Sequence, residues 1–205
     1  MPARLARTST ELGLTLVHFS TDYVFDGSRA EHDEAEQLTP LGAYGQTKAA
    51  GDLAVGTTAR HYLLRASWLV GEGPGFVRTM CELARRGDSP AVVDDQVGRL
   101  TFTVELARAT RHLLDSKAPY GTYNVSNGGV PCSWAAIAAE VFALCGRDPD
   151  DVRRVTTEQY ADERGGVAPR PLQSVLDLTK LRATGFEPED HLVALRRYVV
   201  AASRP

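Results

Sequence analysis

The sequence has little that would tie it to a membrane, a metal or a nucleic acid. No apolar run approaches the roughly 20 residues that a membrane-spanning helix needs. The first residues carry Arg4 and Arg7 without the apolar stretch of an export signal. Cysteine is sparse: Cys81, Cys132 and Cys145 lack metal-ligand spacing, and an odd number of them predicts reduced thiols in a cytoplasmic protein. The five histidines are scattered, so no metal site is expected. A net charge of −3 excludes a strongly basic face. Pairs such as Arg153-Arg154 and Arg196-Arg197 read as solvated helix surface, so neither nucleic acid nor membrane is an expected partner. A strand followed by a glycine-rich phosphate-cradling turn is also lacking. The nearest run, Gly71-Glu72-Gly73-Pro74-Gly75, contains a proline and reads as an ordinary loop.

What remains is an ordinary globular composition, 43% hydrophobic and 24% charged over 205 residues, with room for one sizeable domain. Apolar patterning predicts helices and strands in alternation. Helices are expected at 2–12, 41–57, 76–86, 104–116, 133–145, 178–183 and 190–202. Strands are expected at 14–20, 61–69, 91–94 and 122–126. Thr103 and Ser133 are the predicted caps of the fourth and fifth helices, and Gly87 and Gly146 the stops of the third and fifth. Residues 147–171 read as mostly irregular. The alternation argues an α/β fold with a largely parallel sheet. The polar stretch 21–40 is long for a loop, a length that usually signals function.

Three features carry chemistry. Tyr44 and Lys48 stand four residues apart on a predicted helix, hence on one face. Reduction of a carbonyl develops an alkoxide that an acid must protonate. A free phenol, with a pKa near 10, is a poor acid–base group at neutral pH. An ammonium about 4 Å away favours the phenolate by about 4 kcal/mol at an effective dielectric of ~20, enough to bring the phenol into range. Alone the spacing is weak, because seven Tyr and Lys at 48, 117 and 180 produce it by chance about one time in ten. An exposed helix with a solvated lysine has the same pattern. Second, Ser20-Thr21-Asp22-Tyr23 ends the first strand, the edge where open α/β sheets bind ligands. A hydroxyl there can hold a substrate oxygen, and a strand-end turn satisfying its own backbone reads the same way. Third, Arg65-Ala66-Ser67-Trp68 ends the next strand. Trp68 suits a sugar- or base-pocket wall or the core equally well, and Arg65 reads as structural.

Taken together, the stretches HFSTDYVFDG (18–27), PLGAYGQTKAAGD (40–52), LLRASWLVG (63–71), VVDDQVGRLTF (92–102), GTYNVSNGG (121–129) and APRPLQSVLDLTKL (168–181) resemble the extended short-chain dehydrogenase/reductase superfamily, and within it the dTDP-4-dehydrorhamnose reductase family. The resemblance implies a partial Rossmann-like parallel sheet with a smaller C-terminal substrate-binding region. It lacks the family's first strands, about 80 to 90 residues that would include the pyrophosphate turn. That leaves the 14–20 strand a bare edge, and a homodimer is one way to cover it. The implied division is 1–127 for the NAD(P)-binding part, with 72–90 serving the substrate region, and 128–205 mainly for substrate. The implied reaction is NADPH- or NADH-dependent reduction of the 4-keto group of a nucleotide sugar, dTDP-4-dehydro-L-rhamnose. By resemblance Thr21, Tyr44 and Lys48 are catalytic. Ser20, Tyr44, Lys48, Ala66 and Ser67 meet the cofactor, and Asp22, Tyr23, Trp68 and Arg170 meet the substrate. Two other roles share parts of the pattern: a non-catalytic regulatory protein like the methionine adenosyltransferase β subunit, and a nucleotide-sugar epimerase or dehydratase.

Overall fold

The computed structural model describes residues 1–202. Helix α1 (Pro2–Glu11) opens on a proline, whose missing N–H is no loss in a first turn. It leads into β1 (Leu16–Thr21), then α2 (Ala43–Gly56), β2 (His61–Ala66), β3 (Leu69–Val70), α3 (Phe76–Arg86), β4 (Ala91–Val93), β5 (Val97–Gly98), β6 (Thr101–Phe102) and α4 (Thr103–Asp115). The second half runs β7 (Gly121–Val125), β8 (Cys132–Ser133), α5 (Trp134–Leu144), β9 (Arg153–Val155), α6 (Thr157–Asp162), α7 (Thr179–Arg182) and α8 (His191–Ala202). Among the described residues no helix is long and apolar enough to cross a membrane.

The central sheet is parallel, in the order β1-β2-β7. Thr21 stands opposite Ala66, and Ala66 opposite Val125, so the three carboxyl ends finish in one row. The α/β class with parallel strands is as the alternation predicted. The sheet is smaller than the strand count suggested, because β4 pairs with β9 elsewhere. Two cores result. One lies on the central sheet and includes Tyr62, Leu64, Leu113, Tyr123 and Leu181. The other gathers Trp68, Met80, Leu100, Ile137, Phe142 and Leu195.

Three local expectations give way to tertiary contacts. The predicted strand 61–69 breaks after Ala66, where Trp68 takes a left-handed φ of 39°. That twist lets its indole stack on Trp134 at 3.8 Å while its carbonyl accepts from the Thr101 amide. Thr103 is not a cap: Phe102 holds that position, and Thr103 is already helical, packed against Gly71. The stretch 147–171 is more ordered than predicted. Thr156 and Gln159 form a capping box for α6, and Asp95 accepts from the Thr157 amide and hydroxyl. The caps Ser133 and Gly87 are as expected.

Residues 22–40 form a strap across the carboxyl end of the sheet. His32 is fully buried, stacked on Phe25 at 4.7 Å, and its ring nitrogens meet Glu36 and the Gln173 carbonyl. Arg65 anchors the strap from below. It donates to Asp52 on α2 (3.1 Å) and to the Glu34 carbonyl (3.2 Å), and its guanidinium lies over Phe25. Arg65 is thus structural, as read from the sequence. Both charges are buried, so removing one partner strands the other. Asp52→Ala is expected to lower stability by about 3 kcal/mol or more in urea unfolding. A loss below about 1 kcal/mol would mean that Arg65 finds compensation in the strap.

Candidate active site

The candidate site begins where β1 ends. Thr21 is β-branched and suits a strand, and its hydroxyl then closes the turn that follows. It accepts from the Tyr23 amide (3.2 Å) and donates to Asp22 Oδ1 (3.0 Å). Asp22 is wholly buried. Burial pushes its carboxyl up to about 6, against the opposing pull of the Ser174 and Thr21 hydroxyls and of His32. Asp22 Oδ2 and Ser20 Oγ are buried with no hydrogen-bond partner. Burial also raises the Tyr23 phenol, while Arg170 beside it pulls the other way. Arg170 reaches this position because Gly27, at φ 76°, lets Pro171 approach where a side chain would collide.

Helix α2 brings the second half of the site. Tyr44 is 58% exposed and meets the Tyr23 ring edge-on, centroids 5.9 Å apart. One turn later, Lys48 Nζ donates to the Phe19 carbonyl on β1 (2.6 Å). The helix can come this close because residue 45 is glycine. A Cβ there would lie 2.2 Å from the Tyr23 carbonyl oxygen and 2.9 Å from Pro40. Sequence reasoning passed over Gly45, although a lone glycine inside a helical pattern is itself a signal of close packing.

The structure therefore gathers Thr21, Asp22, Tyr23, Tyr44, Lys48 and Arg170 around one strand end. Ala66 ends the neighbouring strand in register with Thr21. Ser20 precedes Thr21 on β1, and the remaining two expected residues are differently placed. Ser67 is buried, and its hydroxyl donates to the Arg99 carbonyl (3.1 Å). Trp68 lies in the core against Trp134. Among the described residues no cluster of His, Cys, Asp or Glu could hold a metal ion.

A parallel sheet with polar side chains gathered at its carboxyl edge defines the class: a Rossmann-like α/β protein. Within that class the chain belongs to the RmlD substrate binding domain family, whose pattern it matches over residues 1–203. It is 39% identical over 198 residues to a dTDP-4-dehydrorhamnose reductase of Streptomyces griseus, covering 93% of this chain and 64% of that protein. It is 38% identical over 197 residues to the spore coat polysaccharide biosynthesis protein SpsK of Bacillus subtilis, covering 95% and 67%. The chain thus spans about two thirds of the length of these curated relatives. The crystal structure of dTDP-4-dehydrorhamnose reductase from Bacillus anthracis in complex with NADP superposes with a TM-score of 0.88 at 34% identity, over 98% of this chain and 70% of that one.

Two outcomes test this geometry. Alanine normally stabilises a helix over glycine by about 1 kcal/mol. Gly45→Ala should instead destabilise the chain by about 1–3 kcal/mol in urea unfolding, because the helix must back away from Tyr23. A stabilised variant would mean that the contact is loose. For Asp22 the folded-state carboxyl is raised, so the folded chain holds its proton longer than the unfolded one. Stability is fullest below pH 3.8 and falls as pH rises through about 6. Asp22→Asn should remove that fall, a gain of roughly 2–3 kcal/mol at pH 7 relative to pH 4. Equal pH-stability curves for the two proteins would show that Asp22 ionises freely.

Proposed function

We propose that this chain supplies the carbonyl-binding and proton-delivering part of a reductase that converts the 4-keto group of dTDP-4-dehydro-L-rhamnose to the alcohol of dTDP-L-rhamnose, using NADPH or NADH. The observation that carries the reading is the convergence of Thr21, Tyr44 and Lys48 on the carboxyl end of β1, with Gly45 closing the gap. The names of the similar reductases and the NADP in the B. anthracis structure support it.

The residues present fit a dinucleotide's nicotinamide end. The Ser20 hydroxyl is buried with no partner, and the Ala66 strand end lies beside it. When bound, the reduced nicotinamide supplies the hydride to the carbonyl carbon. The chain's own part concerns the oxygen. Thr21 donates a hydrogen bond to the keto oxygen, which grows stronger as charge develops. Tyr44 gives up its proton there: the phenolic O–H breaks as the new alcohol O–H forms. Lys48 favours the resulting phenolate and holds the ribose. Tyr23 and the Arg170 cation line the sugar-nucleotide side, and Trp68 contributes through the core beneath it. In this reading residues 1–127, apart from 72–90, form the cofactor side. Residues 128–205 with 72–90 form the substrate side, and the exposed β1 edge is where a homodimer would be sought.

The test is NADPH oxidation by the 205-residue chain with the keto sugar nucleotide, followed at the nicotinamide absorbance. Tyr44→Phe should abolish turnover while NADPH binding, read by fluorescence titration, stays nearly unchanged. Thr21→Val should lower kcat by about 100-fold or more. Equal turnover by wild type and Tyr44→Phe would remove Tyr44 from the chemistry. A folded chain that binds neither nucleotide would point to the regulatory role.

A further inference from the structure

The hydroxyl expected to polarise the substrate carbonyl has its only proton committed elsewhere. A threonine hydroxyl has one donor and two acceptor sites. At Thr21 the donor is spent on Asp22 Oδ1 at 3.0 Å, and one acceptor is taken by the Tyr23 amide at 3.2 Å. An ionised Asp22 can only accept, so while it is charged it competes with any carbonyl for the Thr21 proton. A neutral Asp22 reverses the contact. It donates to the remaining acceptor site on Thr21 Oγ1 and frees the Thr21 hydrogen to point outward.

We propose that Asp22 is a positioning residue whose proton aims the Thr21 hydroxyl at the substrate's carbonyl oxygen. The inference rests on the reductase reading and gives Asp22 a role beside the substrate contact that the resemblance implies. Three observations carry it. Asp22 and Thr21 are both buried, so water does not stand in for either partner. Asp22 Oδ2 makes no hydrogen bond of good geometry and feels only the pull of the nearby Ser174 hydroxyl, which leaves the charged form poorly satisfied and the protonated form within reach. The burial that raises the carboxyl is geometric, imposed by the strap and the 171–175 segment folded over the turn.

The groups around Asp22 divide by sign. His32 on the strap favours its ionised form, and the Ser174 and Thr21 hydroxyls act likewise. Tyr23, with Tyr44 of α2 and Arg170 beyond it, forms the open side. The ammonium of Lys48 is engaged with the Phe19 carbonyl on the same strand. A nucleotide diphosphate brought to the Arg170 side adds negative charge, which favours the neutral carboxyl. Binding of substrate would thereby help to protonate the group that aims Thr21.

Two readouts test the inference on the intact chain. The first is carbon NMR of aspartate carboxyls, with the Asp22 signal identified by its loss in Asp22→Asn. A midpoint near 6 is expected, moving upward in Thr21→Val because the carboxylate loses its donor. A midpoint in the ordinary carboxyl range, or one that Thr21→Val leaves in place, overturns the proposal. The second is the pH profile of keto sugar reduction at saturating NADPH. In the wild type kcat should fall as pH rises above the Asp22 midpoint, with KM little changed. Asp22→Asn, whose amide donates at every pH, should flatten that fall. A step of the same size in Asp22→Asn overturns the proposal. Absence of turnover in wild type overturns the reductase reading, and with it the aiming of Thr21 at a carbonyl. Wild-type turnover with an unaltered step in the variant sinks the Asp22 role alone.

Discussion

The close approach of α2 to the turn after β1 is the constraint on which the rest of the site depends. Its helix contributes Tyr44 and Lys48, and its strand end contributes Thr21 and Asp22. These belong to one site only if two backbones come within contact distance, and Gly45 is the residue that allows it. The Arg65–Asp52 pair then fixes the same helix to β2, so α2 is held at both ends of its buried face. The helix is tied to two adjacent strands by unlike means, one steric and one electrostatic.

The strap over the sheet edge converts that scaffold into an enclosed environment. A long polar connection would ordinarily stay in water. This one is turned inward by His32, Glu34 and Glu36. The Glu34 side chain accepts from the Asn124 amide on β7, and the Asn124 side chain donates to the His32 carbonyl. Glu34 and the Asn124 amide are matched through backbone, and His32 by Glu36 and the Gln173 carbonyl, which explains how so charged a stretch can cover a parallel sheet. Enclosure is also what raises Asp22. The loop's length signalled function, but its visible work is to exclude water from the strand ends.

Much of the scaffold was legible because it is written locally. Apolar runs marked β1, β2 and β7. Gly87, in the left-handed conformation, marked the end of α3, and Ser133 marked the start of α5. The gathering of Thr21, Tyr44 and Lys48 followed from strand-end and helix-face logic together with the ordered motifs. What stayed hidden is set by distant partners. HYLLRASWL reads as one strand, and only the stack with Trp134 explains the break at Trp68. Thr156-x-x-Gln159 carried a capping signal, but α6 has few apolar positions and leans on Asp95, some sixty residues earlier. Asp22 read as a polar turn residue or, by resemblance, a substrate contact, and nothing in Thr-Asp-Tyr announces that its carboxyl is sealed from solvent.

The Trp68–Trp134 stack has an optical consequence. These are the only two tryptophans in the chain, and they sit ring on ring at 3.8 Å with planes 18° apart. Indoles so arranged couple their excited states, so near- and far-ultraviolet spectra of this protein carry a signature belonging to the pair. All of its indole emission originates at one contact between β3's entry and α5. Spectroscopically, the molecule carries a built-in gauge of how tightly its second core is closed.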